Sequence, residues 1–449
     1  MKKKFIKTIC KLSVFVFAVT LSFNKVIFAD ENYDYSNPIY SEGINDTFVY
    51  DTTDSVITTK TDIPRSLPQV TGLYDISSYP IPLINQVPDE ATFELIKAEN
   101  KTIMDKVEED IKNGTLTKHK AADGQFYGTV PDDALGVEKK IYINTNVKGT
   151  HSLASYVPAG EIATVTLNDE ALKYAKQGKI KLSVGMTMVD AEEYYYNHSN
   201  ENRMPYLGKT FSISETETKV GTPFGGMVFI EIAESIPSGA NIEVDIKGVV
   251  DTPYYDLGKT TAEEWQVAKD APGIFAEIRT PYLRFILPAK FIRNIEDPYK
   301  AAVFWTNVAA LSSNAMGLEK RTTPMTLTFD QYITAGLAYA SVGAWTCNLP
   351  PEWAKDAFNY DGLMKNGNWG LIHEINHHYQ RRYSGYSDEW GLGNDFTEIT
   401  NNALSAASYI LYTNIAASRG EEGTYDWNKV ADPYSSLKQQ IFEGVQYYP

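Results

Sequence analysis

The chain has 449 residues, a formal net charge of −16 and two cysteines, Cys10 and Cys347. This excess of acid argues against nucleic acid as a partner, because the phosphate backbone would repel it. The length is sufficient for two or three domains, and the cysteine count excludes a fold held together by many disulfide bridges.

The first 29 residues have the features of a secretory signal peptide. Lysines precede an apolar stretch from Leu12 to Phe23, and Ala29 is a small residue at a suitable cleavage position. A membrane anchor is the alternative, but this stretch is shorter than the about 20 apolar residues that a spanning helix needs. We therefore expect a secreted or cell-surface protein with no transmembrane segment after processing.

Removal of this peptide changes the charge and the cysteine content. Residues 1–29 carry six lysines and no acid, so the processed chain would have a net charge of −22. Cys10 is removed as well, which leaves Cys347 without a partner in the same chain. A reactive nucleophile is possible at that position, but we expect a buried structural cysteine.

Two segments precede the first regular domain. Residues 30–88 are rich in Asp, Thr, Ser, Tyr and Pro without a sustained period, which predicts a loosely attached lead-in. Residues 89–135 are predicted to be a helix and a linker. The helical pattern runs to residue 113, and it can begin at Asp89 as N-cap and end at Gly114.

Residues 136–255 contain apolar segments that alternate or lie between Gly, Pro and Asn breaks. Short strands with frequent turns of this kind predict a β-sandwich. The segments are "KKIYINTNV", "GEIATVTL", "KIKLSVGM", "KTFSISET", "GGMVFIEI" and "ANIEVDIKGV".

Residues 256–449 are predicted to form a mixed α/β domain that is mainly helical. The segments "TTAEEWQVAKDA" and "DPYKAAVFWTNVAALSSNAMG" have helical periodicity, whereas "GIFAEIRT" and "YLRFILP" read as strands. The final helical pattern stops at Pro449 without a cap, so we expect the domain to be truncated at its C-terminus.

The segment "WGLIHEINHHYQ" holds three of the six histidines of the chain. On a helix, which Asn366 or Asn368 can cap, His373 and His377 lie one turn apart on the same face, so both can reach one metal ion. Glu374 lies beside that face, where a base for metal-bound water belongs. A helix with two solvated histidines is the alternative.

His378 points away from this face, and we expect a surface residue or one that supports a ligand, but not a ligand itself.

A catalytic zinc needs a third protein ligand and an open fourth position. Metzincins take that ligand from a histidine, but Tyr383 stands where their third histidine would be. A carboxylate from a following helix remains, and Glu398 is favoured because it begins an apolar helical stretch. Asn402 is four residues further on the same face and could hydrogen-bond a ligand histidine.

Other interpretations of these acidic residues stay open. With Asp395 as N-cap, Glu398 would complete a capping box and need not bind metal. Asp388 and Glu389 are competing ligands, but both lie in a Gly-rich loop, where a carboxylate is harder to hold in place.

The segments "WGLIHEINHHYQ" and "TEITNNALS" resemble the enhancin-like zinc metallopeptidases, family sixty among the metallopeptidases. The likeness extends upstream to "ASYVPAGEIATVTL", "TPFGGMVFIEI" and "DTPYYDLGKTTAEEW", and thus covers roughly residues 140–449. The family usually has Gly in place of Asn376 and Asn in place of His378, and "AGLAYASVGAW" matches its substrate-lining strand only loosely. Neither Asn376 nor His378 is expected to face the metal, whereas the loose match of the strand bears on substrate preference.

The resemblance implies one zinc ion bound by His373, His377 and Glu398, with Glu374 as catalytic acid and base. It also implies a fold of class α+β, with an N-terminal β-sandwich followed by a mixed α/β, mainly helical metallopeptidase domain of the gluzincin type. Many family members attack mucins, so an O-glycosylated protein or mucin is the expected substrate. We therefore expect a secreted endopeptidase in which Glu374 assists attack by zinc-bound water.

Substrate contacts are less well defined by the sequence. We assign them to Tyr339, Trp369 and Tyr379, and the tyrosine that stabilises the oxyanion could be Tyr339, Tyr379, Tyr409 or Tyr412. The segment "AGLAYASV" is either an edge strand that pairs with extended substrate or a buried core strand.

Two functions compete with this hypothesis. One is a surface adhesin that binds mucin glycans and keeps a structural or vestigial metal site. A structural site prefers four protein ligands, however, and has no use for Glu374. The other is a secreted zinc aminopeptidase. That function would require an acidic amine-binding motif upstream of the helix that carries His373 and His377, and none is evident in the sequence.

Overall fold

The computed structural model describes residues 54–72, 90–122, 128–185, 206–316, 323–330, 333, 337–380, 398 and 400–409. Several predictions therefore lie outside the described residues: the signal peptide, the Asp89 and Asp395 caps, the competing ligands Asp388 and Glu389, Tyr412, and the C-terminal truncation. None of the helices among the described residues is long and apolar enough to cross a membrane.

The described strands are β1 Ser55–Ile63, β2 Val70–Thr71, β3 Lys118–His119, β4 Gly136–Ile143, β5 Gly149–Val157, β6 Ala163–Leu167, β7 Ile180–Gly185, β8 Lys209–Phe211, β9 Glu217–Val220, β10 Gly226–Ile232, β11 Ile242–Asp251, β12 Tyr254–Asp256, β13 Phe275–Arg279, β14 Leu283–Pro288, β15 Met325–Phe329, β16 Tyr339–Ser341 and β17 Thr346–Leu349. The described helices are α1 Glu90–Asp105, α2 Val107–Asn113, α3 Asp169–Ala175, α4 Ala262–Ala268, α5 Tyr299–Ala315, α6 Ala354–Ala357, α7 Tyr360–Asn366 and α8 Trp369–His377. Residues 400–409 form a further helix, α9, and Glu398 also has helical backbone.

The N-terminal half is built on a sheet in the order β1-β4-β11-β5-β10-β7-β8, with β6 paired to β11 and β9 paired to β6. Strand β6 alternates buried and half-buried side chains, as the period of two predicts. Strand β11 lies between β4 and β6 through Lys247, and its last two residues pair with β5. Gly248 has a φ of 77° at this change of partner, a conformation that glycine adopts without a Cβ clash.

The lead-in differs from the prediction. Residues 55–63 form the edge strand β1, which pairs antiparallel with β4, and Asp54 before it is buried. Most side chains of β1 are exposed, so the sequence shows no alternation of apolar and polar residues. Backbone hydrogen bonds to β4 and the Asp54 contacts hold this strand, and neither of them has a local sequence signal.

The predicted helix in residues 89–113 is divided into α1 and α2 at Lys106. Gly114 ends α2 as predicted, with a φ of 70° and its N–H donating to the carbonyls of Asp110 and Ile111. Ile96, Val107 and Ile111 are buried in the core of the N-terminal half, so the apolar stripe is packing surface.

The C-terminal half contains a mixed sheet in the order β12-β13-β14-β15-β17-β16. Strands β13, β14, β15 and β17 are buried at every position, including polar residues such as Glu277, Arg279 and Thr326. Helix α5 packs against β14 and against α7 and α8. The helices predicted here are present as α4 and α5, and α4 begins with a capping box between Thr261 and Glu264.

A buried ion cluster joins the two halves. His151 Nδ1, on β5, lies 2.9 Å from Asp54 Oδ1, and Arg279 Nη1, on β13, lies 3.6 Å from Asp54 Oδ2. Arg279 also binds Glu277 at 2.6 Å and donates to the Ser152 carbonyl at 3.1 Å. These side chains are all buried, so the lead-in, the first sheet and the second sheet meet at one set of paired charges. We name this cluster the joint.

The protein is thus a mixed α+β structure with several sheets, as its sequence predicts. The prediction of a mainly helical C-terminal half is not confirmed, because a six-stranded sheet runs through its described part. The strand pairings of the N-terminal half do not by themselves establish a sandwich, which stays a prediction.

Candidate active site

Helix α8 carries the histidine cluster, and local sequence sets where it begins. The Asn368 side chain caps the helix by accepting the Leu371 N–H at 3.3 Å. Leu371, Ile372 and Ile375 are buried in the core of the C-terminal half, so one face of the helix is fixed to the fold. Gly370 allows the indole of Trp353 to lie against the first turn, where a Cβ would collide with it.

The opposite face of α8 presents His373 and His377, which meet Glu398. The two Nε2 atoms are 3.0 Å apart. His373 Nε2 lies 3.1 Å from Glu398 Oε2, and His377 Nε2 lies 3.6 Å from Glu398 Oε1. The side chains of both histidines are mostly buried, whereas that of Glu398 is 57% exposed. The structure therefore brings together the three residues predicted to bind metal.

These distances fit a zinc ion. Three ligands at about 2.0–2.2 Å from a tetrahedral zinc lie about 3.3–3.6 Å from one another, close to the separations of 3.0, 3.1 and 3.6 Å. The donor set of two imidazole nitrogens and one carboxylate oxygen is one that catalytic zinc sites use. Among the described residues, His373, His377 and Glu398 form the one group of three or more His, Cys, Asp or Glu side chains whose ligand atoms are close enough to hold a metal ion.

Two asparagines of α9 hold His373 in place by hydrogen bonds. Asn402 Oδ1 lies 2.8 Å from His373 Nδ1, so Nδ1 carries the proton and Nε2 presents its lone pair to the site. Asn401 Nδ2 donates to the His373 carbonyl at 2.9 Å. Asn402 was predicted, but Asn401 was missed. Its spacing of three from Glu398 is the sequence signal that could have identified it.

The charges at the site are coupled. Burial opposes the protonation of His373, but its hydrogen bond with Glu398 and the charge of Glu374 raise its pKa overall. Burial and the neighbouring His373 lower the pKa of His377 to about 4. The hydrogen bond from His373 is the largest cause of the lowered pKa of Glu398. In the absence of metal, a proton is therefore held more readily by His373, next to Glu398, than by His377.

Glu374 is buried next to these ligands. Burial is the main reason why the pKa of Glu374 is raised to about 7. The charge of Glu398 also raises this pKa, whereas the charge of His373 lowers it. Cys347 is fully buried in β17, and burial together with the charge of Glu374 raises the pKa of its thiol. The prediction of a buried Cys347 is confirmed, and its thiol is not an activated nucleophile.

His378 does not bind the cluster, as predicted, but the expectation of a surface residue is wrong. Its side chain is only 1% exposed. Nε2 lies 3.1 Å from the Thr346 carbonyl, and the ring packs edge-on against Trp345. The geometry of the helix turns this residue away from the metal face and toward the sheet beneath.

The residues predicted to contact substrate differ in exposure. Trp369 is 38% exposed at the start of α8, and Tyr339 is half-buried in β16. Tyr379 is 5% exposed and packs edge-on against Trp345, which leaves little of its ring for a substrate. Tyr409 is a correction among the oxyanion residues, since its buried hydroxyl contacts the carbonyls of Leu363 and Met364.

Comparison with known families gives two adjacent matches. The model for the N-terminal domain of M60-like peptidases matches residues 134–247, and the model for peptidase M60, enhancin and enhancin-like, matches residues 248–443. The boundary between the two matches falls within β11, the strand of the first sheet that pairs with β4, β5 and β6.

Several known proteins are similar to the chain. Antigenic protein P1 of Entamoeba histolytica is 34% identical over 367 residues, which cover 78% of this chain and 32% of that protein. The chain spans about a third of the length of the curated relatives it matches.

Two solved structures are more distant. The IMPa metallopeptidase from Pseudomonas aeruginosa has 15% identity and a TM-score of 0.43, over 60% of this chain and 32% of that one. The M60 catalytic domain of Clostridium perfringens ZmpC, solved with the sialyl T antigen, has 14% identity and a TM-score of 0.38, over 52% of this chain and 48% of that one.

Proposed function

Because this chain belongs to the enhancin-like peptidase family M60, we propose that it is a zinc-dependent endopeptidase that cleaves mucin-type O-glycosylated proteins. The observation that carries this proposal is the convergence of His373, His377 and Glu398 beside a buried Glu374. Hydrolysis needs both a metal-binding triad and a base, and α8 carries the base, Glu374, together with two of the three ligands.

His373, His377 and Glu398 would hold the zinc ion. Zinc bound there supplies a Lewis acid that polarises the scissile carbonyl and lowers the pKa of a water molecule. Asn402 keeps His373 in the tautomer that can bind, because it accepts a hydrogen bond from Nδ1.

Glu374 serves as the acid and base. Burial raises the pKa of Glu374 to about 7 in the metal-free site, and burial of this kind helps a carboxyl group to hold and release a proton near neutral pH. It accepts a proton from the water whose oxygen attacks the peptide carbonyl carbon. It then returns this proton to the leaving nitrogen as the carbon–nitrogen bond breaks.

Strand β16 supports a binding mode for extended substrate. Among the described residues it pairs with β17 alone and ends the sheet order, and it contacts α8. An edge strand can add a substrate strand by backbone hydrogen bonds. Tyr339 lies on this strand, and we assign to it a contact with the substrate.

Membership of the M60 family supports the proposal of a glycoprotein substrate. The adhesin hypothesis shares this ligand but not the chemistry, so cleavage distinguishes the two. We also propose that residues 1–29 export the protein. N-terminal sequencing of the secreted form should then begin at Asp30, and retention of residues 1–29 would contradict export with cleavage.

The test uses a glycosylated mucin and its enzymatically deglycosylated form. We expect the zinc-loaded protein to cleave the glycosylated form, and Glu374→Gln to lose activity by about 10²–10⁴-fold with zinc still bound. Glu352→Gln, which alters a surface glutamate of the same half, is the control and should leave the rate unchanged.

Other results of this cleavage experiment would contradict either the enzyme assignment or the substrate assignment. Equal cleavage by the parent and Glu374→Gln, or cleavage by neither, would remove the enzyme assignment. Cleavage of deglycosylated protein alone would keep the peptidase and remove the glycoprotein substrate.

A further inference from the structure

The three metal ligands come from two separate chain segments. His373 and His377 lie on α8, whereas Glu398 precedes α9, and the connecting residues lie outside the described ranges. The coordination distances therefore depend on how far α9 is displaced along and around α8. A shift of one ångström would be large compared with the tolerance of a metal site.

The face that the second helix turns toward α8 is polar. Counting from Glu398, residues three, four, seven and ten positions later recur on one helical face. They are Asn401, Asn402, Ser405 and Ser408, and all four are buried. Apolar side chains at such an interface could slide past one another, but hydrogen bonds hold only one register.

Asn376 is the residue of α8 that meets the far part of this face. Its side chain is fully buried, and Nδ2 lies 3.1 Å from Ser405 Oγ and 3.3 Å from Ser408 Oγ. Ser408 Oγ in turn donates to the Ser405 carbonyl at 3.1 Å. Asn376 immediately precedes the ligand His377, and its contacts lie two turns beyond Glu398 on the other helix.

We propose that Asn376 is a positioning residue, which through Ser405 and Ser408 fixes the register of the helix that carries Glu398 and so sets the affinity for zinc. The proposal rests on the proposed function only in taking zinc as the metal. We name Asn376, Ser405 and Ser408 the clamp.

The energetic reason is the burial of the amide. If α9 moved along α8, the buried Nδ2 group would lose both acceptors, and a buried polar group without a partner is costly. Asn401 and Asn402 contact α8 at His373, whereas the clamp contacts it one turn later. Two separated points of attachment fix the rotation as well as the position of the second helix.

The test measures zinc affinity with a competing chelator, in metal-free protein whose far-UV circular dichroism matches that of the parent. We expect Asn376→Ala and the double variant Ser405→Ala/Ser408→Ala each to raise the zinc Kd by about tenfold, as loss of contacts around metal ligands does. The triple variant should raise it no further, since either change alone already breaks the clamp.

The control is Ser312→Ala. Ser312 is a buried serine of α5 whose hydroxyl donates to the Val308 carbonyl within its own helix, at 2.9 Å. We expect no change in zinc Kd, because no contact between helices is lost. The double serine variant provides a second test in case Asn376→Ala does not fold. It removes only two hydroxyl groups, and alanine has a high helix propensity.

An unchanged zinc Kd in the clamp variants would overturn the proposal, and so would effects that add in the triple variant. Because the readout is zinc affinity, it does not depend on the substrate. A parent protein that binds zinc but cleaves no glycoprotein would end the proposed function and leave the clamp standing.

Discussion

The joint and the metal site each place a histidine beside a carboxylate, at nearly the same distance. His151 Nδ1 lies 2.9 Å from Asp54 Oδ1, and His373 Nε2 lies 3.1 Å from Glu398 Oε2. At the joint, protein groups contact both ring nitrogens of His151 and both carboxylate oxygens of Asp54: besides the contacts between these two residues and Arg279, the Val147 carbonyl lies 3.1 Å from His151 Nε2, and the Asn144 N–H donates to Asp54 at 2.9 Å.

At the metal site the residues within the described ranges leave the contacts incomplete. The Nε2 atoms of His373 and His377 face each other at 3.0 Å, and the Glu398 carboxylate is more than half exposed. Three groups with lone pairs converge, so the arrangement of the described residues calls for a cation between them. A histidine–carboxylate pair is thus structural where the fold satisfies it, and points to a ligand where it does not.

The largest expected effect separates the two histidines. His373→Ala should abolish zinc binding at micromolar protein while the protein stays folded, because two ligands cannot retain the ion. His151→Ala should bind zinc with the parent Kd and unfold at a lower urea concentration. Calorimetric titration with zinc and urea unfolding measure both properties. Loss of zinc binding in His151→Ala would contradict the assignment.

Asp54→Asn should destabilise the protein by about 3 kcal/mol. The change removes the carboxylate from His151 and from Arg279, which keeps Glu277 as a partner, and breaking a buried ion pair costs about 3–5 kcal/mol. Urea unfolding of the metal-free protein gives this value. Asp105→Asn is the control, because Asp105 pairs with Lys101 at the surface and its loss should have no measurable effect. Equal stability of the two variants would show that the joint does not hold the halves together.

The joint should also make stability depend on acidity. Burial raises the pKa of Asp54, but His151, Arg279 and the Asn144 N–H lower it below its usual value overall. A carboxyl with a lowered folded pKa contributes stability above its unfolded pKa of about 3.9, and this contribution is lost as the pH falls through the folded pKa. In Asp54→Asn, the loss of unfolding free energy below about pH 4 should therefore be smaller than in the parent. The same acid dependence in both proteins would assign it to other groups.

The smallest expected effect concerns the exposed side of the metal site. Trp369→Ala should change the free energy of unfolding by less than about 0.5 kcal/mol, since the indole is 38% exposed. It should leave the zinc Kd unchanged and raise KM for glycosylated substrate. Val267→Ala, at a residue that is 78% exposed and belongs to a different helix, is the control for stability and kinetics. An unchanged KM would remove Trp369 from the substrate contacts.

The sequence predicts the structural features that are determined by residues close together in the chain. The capping box of α4, the largely apolar sequence of β14, and the spacing of His373 and His377 each lie within a single element. Glu398 could be predicted because one helix that follows another has few ways to return a carboxylate to the first.

Other features depend on contacts between distant segments. Strand β1 has no apolar alternation and is held by pairing with β4, about 80 residues away in sequence. The burial of His378 results from its packing on Trp345, and the clamp results from the approach of two helices. Periodicity within one segment carries no information about these contacts.

The central claim is that His373, His377 and Glu398 bind one zinc ion. Anomalous diffraction from zinc-loaded crystals, collected on both sides of the zinc absorption edge, tests it most directly. We expect one strong peak about 2.0–2.2 Å from the two Nε2 atoms and a Glu398 oxygen. A zinc peak elsewhere, or one at the histidines with Glu398 turned away and another acid in its place, would contradict it.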